Sequence, residues 1–171
     1  MDPAWTGVVG VVVGALLGYP IQLWLAKRAD AAAQSQQLRA DRVAAYSAFA
    51  EKVMDWRRSQ SVRRELYLSP TRDAREYDAV SDENKRARAA AWTAYYRVRL
   101  LCGSAAINAL AYEVIDQTKA MKRAGNQRDL YRAGDRVRDN LEVFLDAAAG
   151  QLGAAAVLED AERETPASDP S

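Results

Sequence analysis

The hydrophobic pattern changes character once along the chain. From Pro3 to Ala26 there are 24 residues without a charge, PAWTGVVGVVVGALLGYPIQLWLA. A membrane-spanning helix needs roughly 20 apolar residues. Trp5 marks one edge of the run, and Tyr19 and Trp24 mark the other, as an aromatic belt would; Lys27 and Arg28 follow at once. The pattern predicts one N-terminal transmembrane helix within residues 1–26. A cleaved signal peptide would need a basic start and a shorter apolar stretch. Here the start is Met-Asp-Pro, and only Ala29-Asp30-Ala31 imitates a cleavage site. Lys27, Arg28, Arg39 and Arg42 all follow the run, so the positive-inside bias sets the N-terminus outside and the rest in the cytoplasm.

Gly7, Gly10, Gly14 and Gly18 share one face of that helix, within a sector of roughly 80° at about 100° per residue. Gly10, Gly14 and Gly18 keep the small-xxx-small spacing that lets two backbones approach closely. The pattern predicts self-association of the anchor, against the plain alternative that glycine is common in membrane helices. Pro20 should kink the inner end of the span.

Beyond Ala26 the pattern becomes amphipathic. No proline or glycine interrupts Ala26 to Leu66. Leu38, Ala45, Tyr46, Phe49, Val53 and Trp56 fall on one face, within roughly 100°. The stretch from Asp30 to Gln37 has almost no apolar residue larger than alanine, and reads as an exposed stalk. Ser69-Pro70-Thr71 breaks the helix. Thr71 to Lys85 is highly charged and reads either as a loop or as a frayed helical start. A second helix then runs to Leu101 or Cys102, with Ala87, Ala91, Ala94, Tyr95, Val98 and Cys102 on one face. Ser104 can cap a third, whose apolar face is Ile107, Leu110, Ala111, Val114, Thr118 and Met121. Gly125-Asn126 ends it. A fourth carries Leu130, Val137, Leu141, Phe144, Ala148 and Leu152. Glu162 to Ser171, with Pro166 and Pro170, reads as a disordered tail.

The fold class is therefore all-α. It comprises a transmembrane helix, a long amphipathic helix and an antiparallel up-down bundle of about four soluble helices. The bundle with its stalk spans residues 27–161, and the tail 162–171. Tyr46, Phe49, Val53, Trp56, Tyr95, Val98, Leu110, Val114, Leu141 and Phe144 are the expected bundle core, with Trp92 adding bulk. Composition agrees, since about a fifth of the residues are alanine, the strongest helix former.

Catalytic chemistry is poorly provided for. The chain has no histidine, which removes the commonest general base and zinc ligand. Cys102 is the single cysteine, on an apolar helix face, and reads as a small buried hydrophobe. Glu113 with Asp116, and Asp78 with Asp82 and Glu83, read as solvated faces. No phosphate-binding loop motif follows a strand. The expectation is a non-enzymatic protein without a cofactor or metal. The 24 basic and 23 acidic residues give a net charge of +1, which is no nucleic-acid-binding balance. Arginine outnumbers lysine 19 to 5. Arg57-Arg58 and Arg63-Arg64 are expected to pair with Glu51, Asp55 and Glu65, a small anion- or partner-binding patch being the alternative. Trp92, Tyr95 and Tyr96 beside Arg97 and Arg99 offer either core packing or an aromatic-basic surface.

Three features resemble the KilB-like actinobacterial proteins associated with Streptomyces conjugative plasmids. They are the glycine-rich apolar start, the Gln36-Gln-Leu-Arg-Ala-Asp-Arg-Val-Ala-Ala-Tyr46 entry into the long helix, and Arg97-Val-Arg-Leu-Leu101 before a break and a new helix. The resemblance implies a role in plasmid spread and supplies no catalytic residues. Together these readings predict a membrane-anchored helical protein that acts by self-association and recruitment of a protein partner. A ligand-sensing bundle and a membrane-active toxin are the other classes.

Overall fold

The structure is a computed structural model that describes residues 4–70 and 73–164, with side chains described for 33–70 and 73–154. Among the described residues the architecture is four α-helices and one short 3-10 turn, with no strand. Helix α1 spans Ala4–Leu68, α2 Ala74–Leu101, α3 Ala105–Ala120 and α4 Gln127–Glu164, with the 3-10 turn at Met121–Arg123. The chain divides into two units, Met1–Ala40 and Asp41–Ser171. The first is helical from Ala4 onward, and the described side chains of Ala33 to Ala40 are exposed apart from a half-buried Ser35. Among the described residues no helix is long and apolar enough to cross a membrane. The side chains of the apolar run, and so the predicted anchor itself, lie outside those described.

The second unit is a bundle whose turns follow from local chemistry. Pro70 disfavours helical backbone at Ser69, and α1 stops at Leu68. Asp73 then takes extended backbone, and its carboxylate accepts the amides of Arg75 at 2.7 Å and Glu76 at 3.2 Å. This is an N-cap, with Glu76 adding an acid to the first turn. Most of the charged stretch from Thr71 to Lys85 is therefore ordinary helix from Ala74 onward. Cys102 closes α2 by donating its amide to Val98 O at 2.8 Å, and Ser104 caps α3 by accepting the Ile107 amide at 3.4 Å. Asn126 caps α4: its Oδ1 accepts the Asp129 amide at 2.9 Å, and its Nδ2 donates to the Asp129 carboxylate at 2.8 Å. Helix α4 continues to Glu164, past the residue where the tail was expected to begin; residues 165–171 lie outside those described.

Cross-helix contacts fix the topology. Tyr46 meets Phe144 and Gln151, Arg57 meets Gly134, and Arg64 meets Ala124, so α1 and α4 run antiparallel. Arg42 meets Leu101, Ser59 meets Asn84, and Tyr67 meets Tyr77, so α2 is antiparallel to α1 as well. Short connections turn α2 into α3 and α3 into α4, giving an up-down-up-down bundle.

The core runs along its axis. Phe49, Val53, Val98, Val114, Val137 and Phe144 are fully enclosed; Tyr46, Trp56, Tyr95 and Leu141 are at most 5% exposed. Leu110 packs at the margin, half-buried. Ile115, Leu130 and Met121 complete the interior. Leu38, placed on the apolar stripe by its spacing, is 41% exposed. Phe49 and Phe144 meet edge to face at 5.0 Å between ring centroids. Each buried ring contributes about 1.5–3 kcal/mol, and the pair geometry roughly 0.5–1.5 kcal/mol more.

Gly134 sits two turns into α4, where α1 comes close. A β-carbon there would lie 3.1 Å from Arg57 Nη2 and 3.2 Å from its Nε, the atom that donates to Gly134 O at 2.8 Å. Gly150, on the same helix, has open space around it. Gly150→Ala should therefore stabilise the bundle by about 0.5–1 kcal/mol. Gly134→Ala should gain distinctly less, or lose stability, because the guanidinium is pushed off its carbonyl. Urea unfolding of both variants checks this; equal gains would remove the claim that Arg57 holds α4.

Candidate functional site

The arginines of α1 do not do what their spacing suggests. Glu51 and Asp55 pair with Lys52, at 2.6 and 3.7 Å, and no described arginine bonds either. Arg42, Arg57 and Arg64 instead donate to backbone carbonyls of other elements. Arg42 Nε reaches Leu101 O at 2.9 Å, at the carbonyl end of α2, where unpaired acceptors and the helix dipole favour a cation. Arg64 holds Ala124 O, with Nε at 2.8 Å, and lies over the Tyr67 ring at 4.5 Å. Burial, and then the charge of Arg138, pulls the Arg57 guanidinium below its ordinary pKa, with Asp135 opposing.

Between α1, α2 and the end of α3 lies a cleft of about 380 Å³. From α1 come Trp56, Gln60 and Arg63. From α2 come Ser81, Asn84, Lys85, Arg88 and Trp92. Lys119 and Lys122 close the third side. Five basic residues and no carboxylate line it. Lys85 is shared with the exposed Asp82 at 2.8 Å, and Lys119 reaches Asp116 only at 3.9 Å. Among the described residues, no carboxylate lies within 4.0 Å of the charged nitrogens of Arg63, Arg88 or Lys122.

The inner wall of this cleft is polar and buried. Trp56 is 2% exposed, Gln60 3% and Asn84 6%. Asn84 Nδ2 donates to Ser59 Oγ at 3.0 Å, which donates to Trp56 O at 2.9 Å. The Trp56 indole nitrogen, Gln60 Oε1 and Arg63 Nε are buried and have no protein partner. Buried polar groups left so cost about 1–3 kcal/mol each. Three such atoms belong to residues that line this one cleft, and the fourth, Asn108 Oδ1, lies outside it.

The neighbouring groove between the same two helices differs. Lys52, Asp55, Arg58, Glu83 and Arg86 alternate in sign there, and Glu83 pairs with Arg86 at 2.8 Å. The acidic residues considered for catalysis are likewise surface groups. Glu113 accepts from Gln117 at 2.7 Å, and Asp116 faces Lys119. Among the described residues no group of three or more Cys, Asp or Glu is placed to hold a metal ion. Of the aromatic-basic stretch, Tyr95 is buried and Trp92 half-buried, while Tyr96, Arg97 and Arg99 are exposed. The packing glycines Gly7, Gly10, Gly14 and Gly18 and the interface residues Trp5, Tyr19, Trp24, Lys27 and Arg28 lie outside the residues whose side chains are described. The cleft was not singled out by sequence. Gln60 and Arg63 sit on one face of α1, but Lys119 and Lys122 join them only through the fold.

At the opposite end of the bundle, Gln151 Oε1 accepts from Tyr46 Oη at 2.8 Å and from the buried Cys102 thiol at 3.6 Å. Burial first, and then the adjacent thiol, raises the Tyr46 pKa, with Arg42 opposing. The folded chain thus keeps a proton that an unfolded tyrosine releases near pH 10. This contribution is intact below pH 10 and is lost as pH rises beyond it. Tyr46→Phe should cost roughly 1 kcal/mol at pH 7 through the lost hydrogen bond, yet flatten the fall between about pH 10 and 11.5. Unfolding midpoints at both pH values decide; parallel losses in the two proteins would assign the alkaline transition elsewhere.

Compared with known proteins, residues 43–152 match the family model described as KilB plasmid transfer protein. That segment holds the last part of α1, all of α2 and α3, and α4 as far as Leu152. No curated protein and no solved structure matches the chain.

Proposed function

The chain belongs to the KilB plasmid transfer protein family, and we propose that it serves plasmid transfer as a membrane-anchored, self-associating scaffold that recruits a protein partner. The observation that carries the reading is the extent of the family match, which takes in the whole packed core from Ala45 to Ala148. The anchor is proposed on the charge-free run from Pro3 to Ala26 with its aromatic edges, and a cytoplasmic bundle on the basic residues that follow it. Partner recruitment is supported by apolar side chains left outside the core. Leu100 is 86% exposed, and Tyr96, one turn before it, and Tyr112 are each about half exposed. A chain without histidine suits a role that needs contacts and no proton transfer at neutral pH.

Affinity purification of the tagged full-length protein from host membranes in mild detergent, followed by mass spectrometry, tests recruitment. A chain lacking residues 1–26 serves as control. Plasmid-transfer proteins should co-purify with the full chain and be lost or reduced with the control. Recovery of the protein alone would overturn recruitment.

Self-association through the glycine face is tested on its own. Gly14→Ile should weaken association in a membrane two-hybrid assay while leaving membrane insertion intact. Undiminished association would reject packing through that face.

A further inference from the structure

The basic cleft is the feature that plasmid transfer does not account for, and the inference drawn from it stands independently of that reading. We propose that the cleft binds a soluble phosphate ester that also carries a free hydroxyl group. The ligand class follows from what the walls offer. Arg63, Arg88 and Lys122 bring positive charge with no carboxylate within ion-pair reach among the described residues. The buried Trp56 N–H and Arg63 Nε–H add two donors without protein partners. Converging donors and cations suit the oxygens of a phosphate, and arginine suits them best because its planar fork matches their geometry.

Gln60 narrows the class further. It is 97% buried, given its 3% exposure, and its Oε1 has no protein partner. A fully ionised phosphoryl group only accepts and offers this oxygen nothing, and orthophosphate, which keeps an acidic O–H at neutral pH, can supply a donor only from the same group that the bases hold. A hydroxyl both donates and accepts, so it suits either end of a buried amide. The volume of about 380 Å³ fits a small molecule. A single-stranded nucleic acid needs a longer track, with ring faces presented for successive bases. Here the lining rings are Trp56, buried to 2%, and Trp92, which is engaged by Tyr95 at 5.5 Å and Tyr96 at 5.7 Å.

The contrast with the adjacent groove strengthens the case. The same two helices place Asp55 and Glu83 among the bases of one groove, and none among those of the other. Arginine-rich composition alone would charge both alike. The imbalance is local, and it coincides with the buried polar atoms that lack partners.

The test uses the full-length chain in a neutral detergent, followed by tryptophan fluorescence and thermal unfolding. The probes are ribose 5-phosphate, orthophosphate and ribose. Ribose 5-phosphate should change the fluorescence saturably and raise the unfolding temperature, orthophosphate should act more weakly, and ribose should do nothing. Arg88→Gln and Lys122→Gln are exposed substitutions that leave the core untouched, and together should weaken ribose 5-phosphate binding by about tenfold or more. Arg128→Gln, outside the cleft, should leave it unchanged. Equal responses to ribose and ribose 5-phosphate, or equal losses in all three variants, would overturn the proposal. So would binding of short-chain phosphatidylinositol 4-phosphate or decathymidylate without binding of ribose 5-phosphate. The first would make the site a lipid-headgroup site, and the second a nucleic-acid site.

Discussion

The Phe49 ring set against Phe144 is the contact from which the rest of the bundle takes its register. Both rings are fully enclosed, and Tyr46 closes on Phe144 from the next turn, 5.8 Å away. Two buried rings meeting edge to face tolerate little sliding, because a shift of one residue rotates each out of the core. With α1 and α4 antiparallel and locked there, Arg57 arrives opposite Gly134 and Arg64 opposite the Ala124 carbonyl. The glycine is then a consequence of the aromatic pair: α4 needs a residue without a β-carbon where the guanidinium crosses it.

That arrangement explains why Arg42, Arg57 and Arg64 bond carbonyls, while Lys52 takes the neighbouring carboxylates. Arg42 and Arg64 end near the C-terminal ends of other elements, where the last carbonyls lack helical partners. A charge-assisted bond to such an acceptor contributes about 1.5–3 kcal/mol, more than the typical exposed ion pair at about 0–1 kcal/mol. The exposed pair of Lys52 with Glu51 on α1 is of that weaker kind. Tertiary stability and surface charge are thus handled by different residues on the same helix.

Helix content and the faces of α3 and α4 were legible because each rests on a periodic signal. Val137, Leu141, Phe144 and Ala148 recur at helical spacing, and the fold buries all four. Local cap chemistry was legible at Ser104 and was missed at Asp73. There Asp73 and Glu76 formed the signal for a helix start, hidden inside a stretch that looked merely charged. Leu38 shows the limit of periodicity: spacing assigns a face, but only a neighbouring helix can bury it, and Leu38 remains 41% exposed. The partners of Arg57 and Arg64 were illegible for a different reason. A carbonyl has no sequence letter, so pairing by residue type always finds the nearest carboxylate first.

The cleft was illegible because composition averages over the molecule while recognition does not. A net charge of +1 describes 24 basic and 23 acidic residues wherever they lie. Folding sorts them, so that one groove between α1 and α2 alternates in sign and the next carries five bases and no acid. Like charges gathered without acids weaken a bundle, and buried polar atoms without partners weaken it further. The proposed site rests on this sorting and on the buried Gln60 Oε1 and Arg63 Nε beside those bases, which have no protein partner.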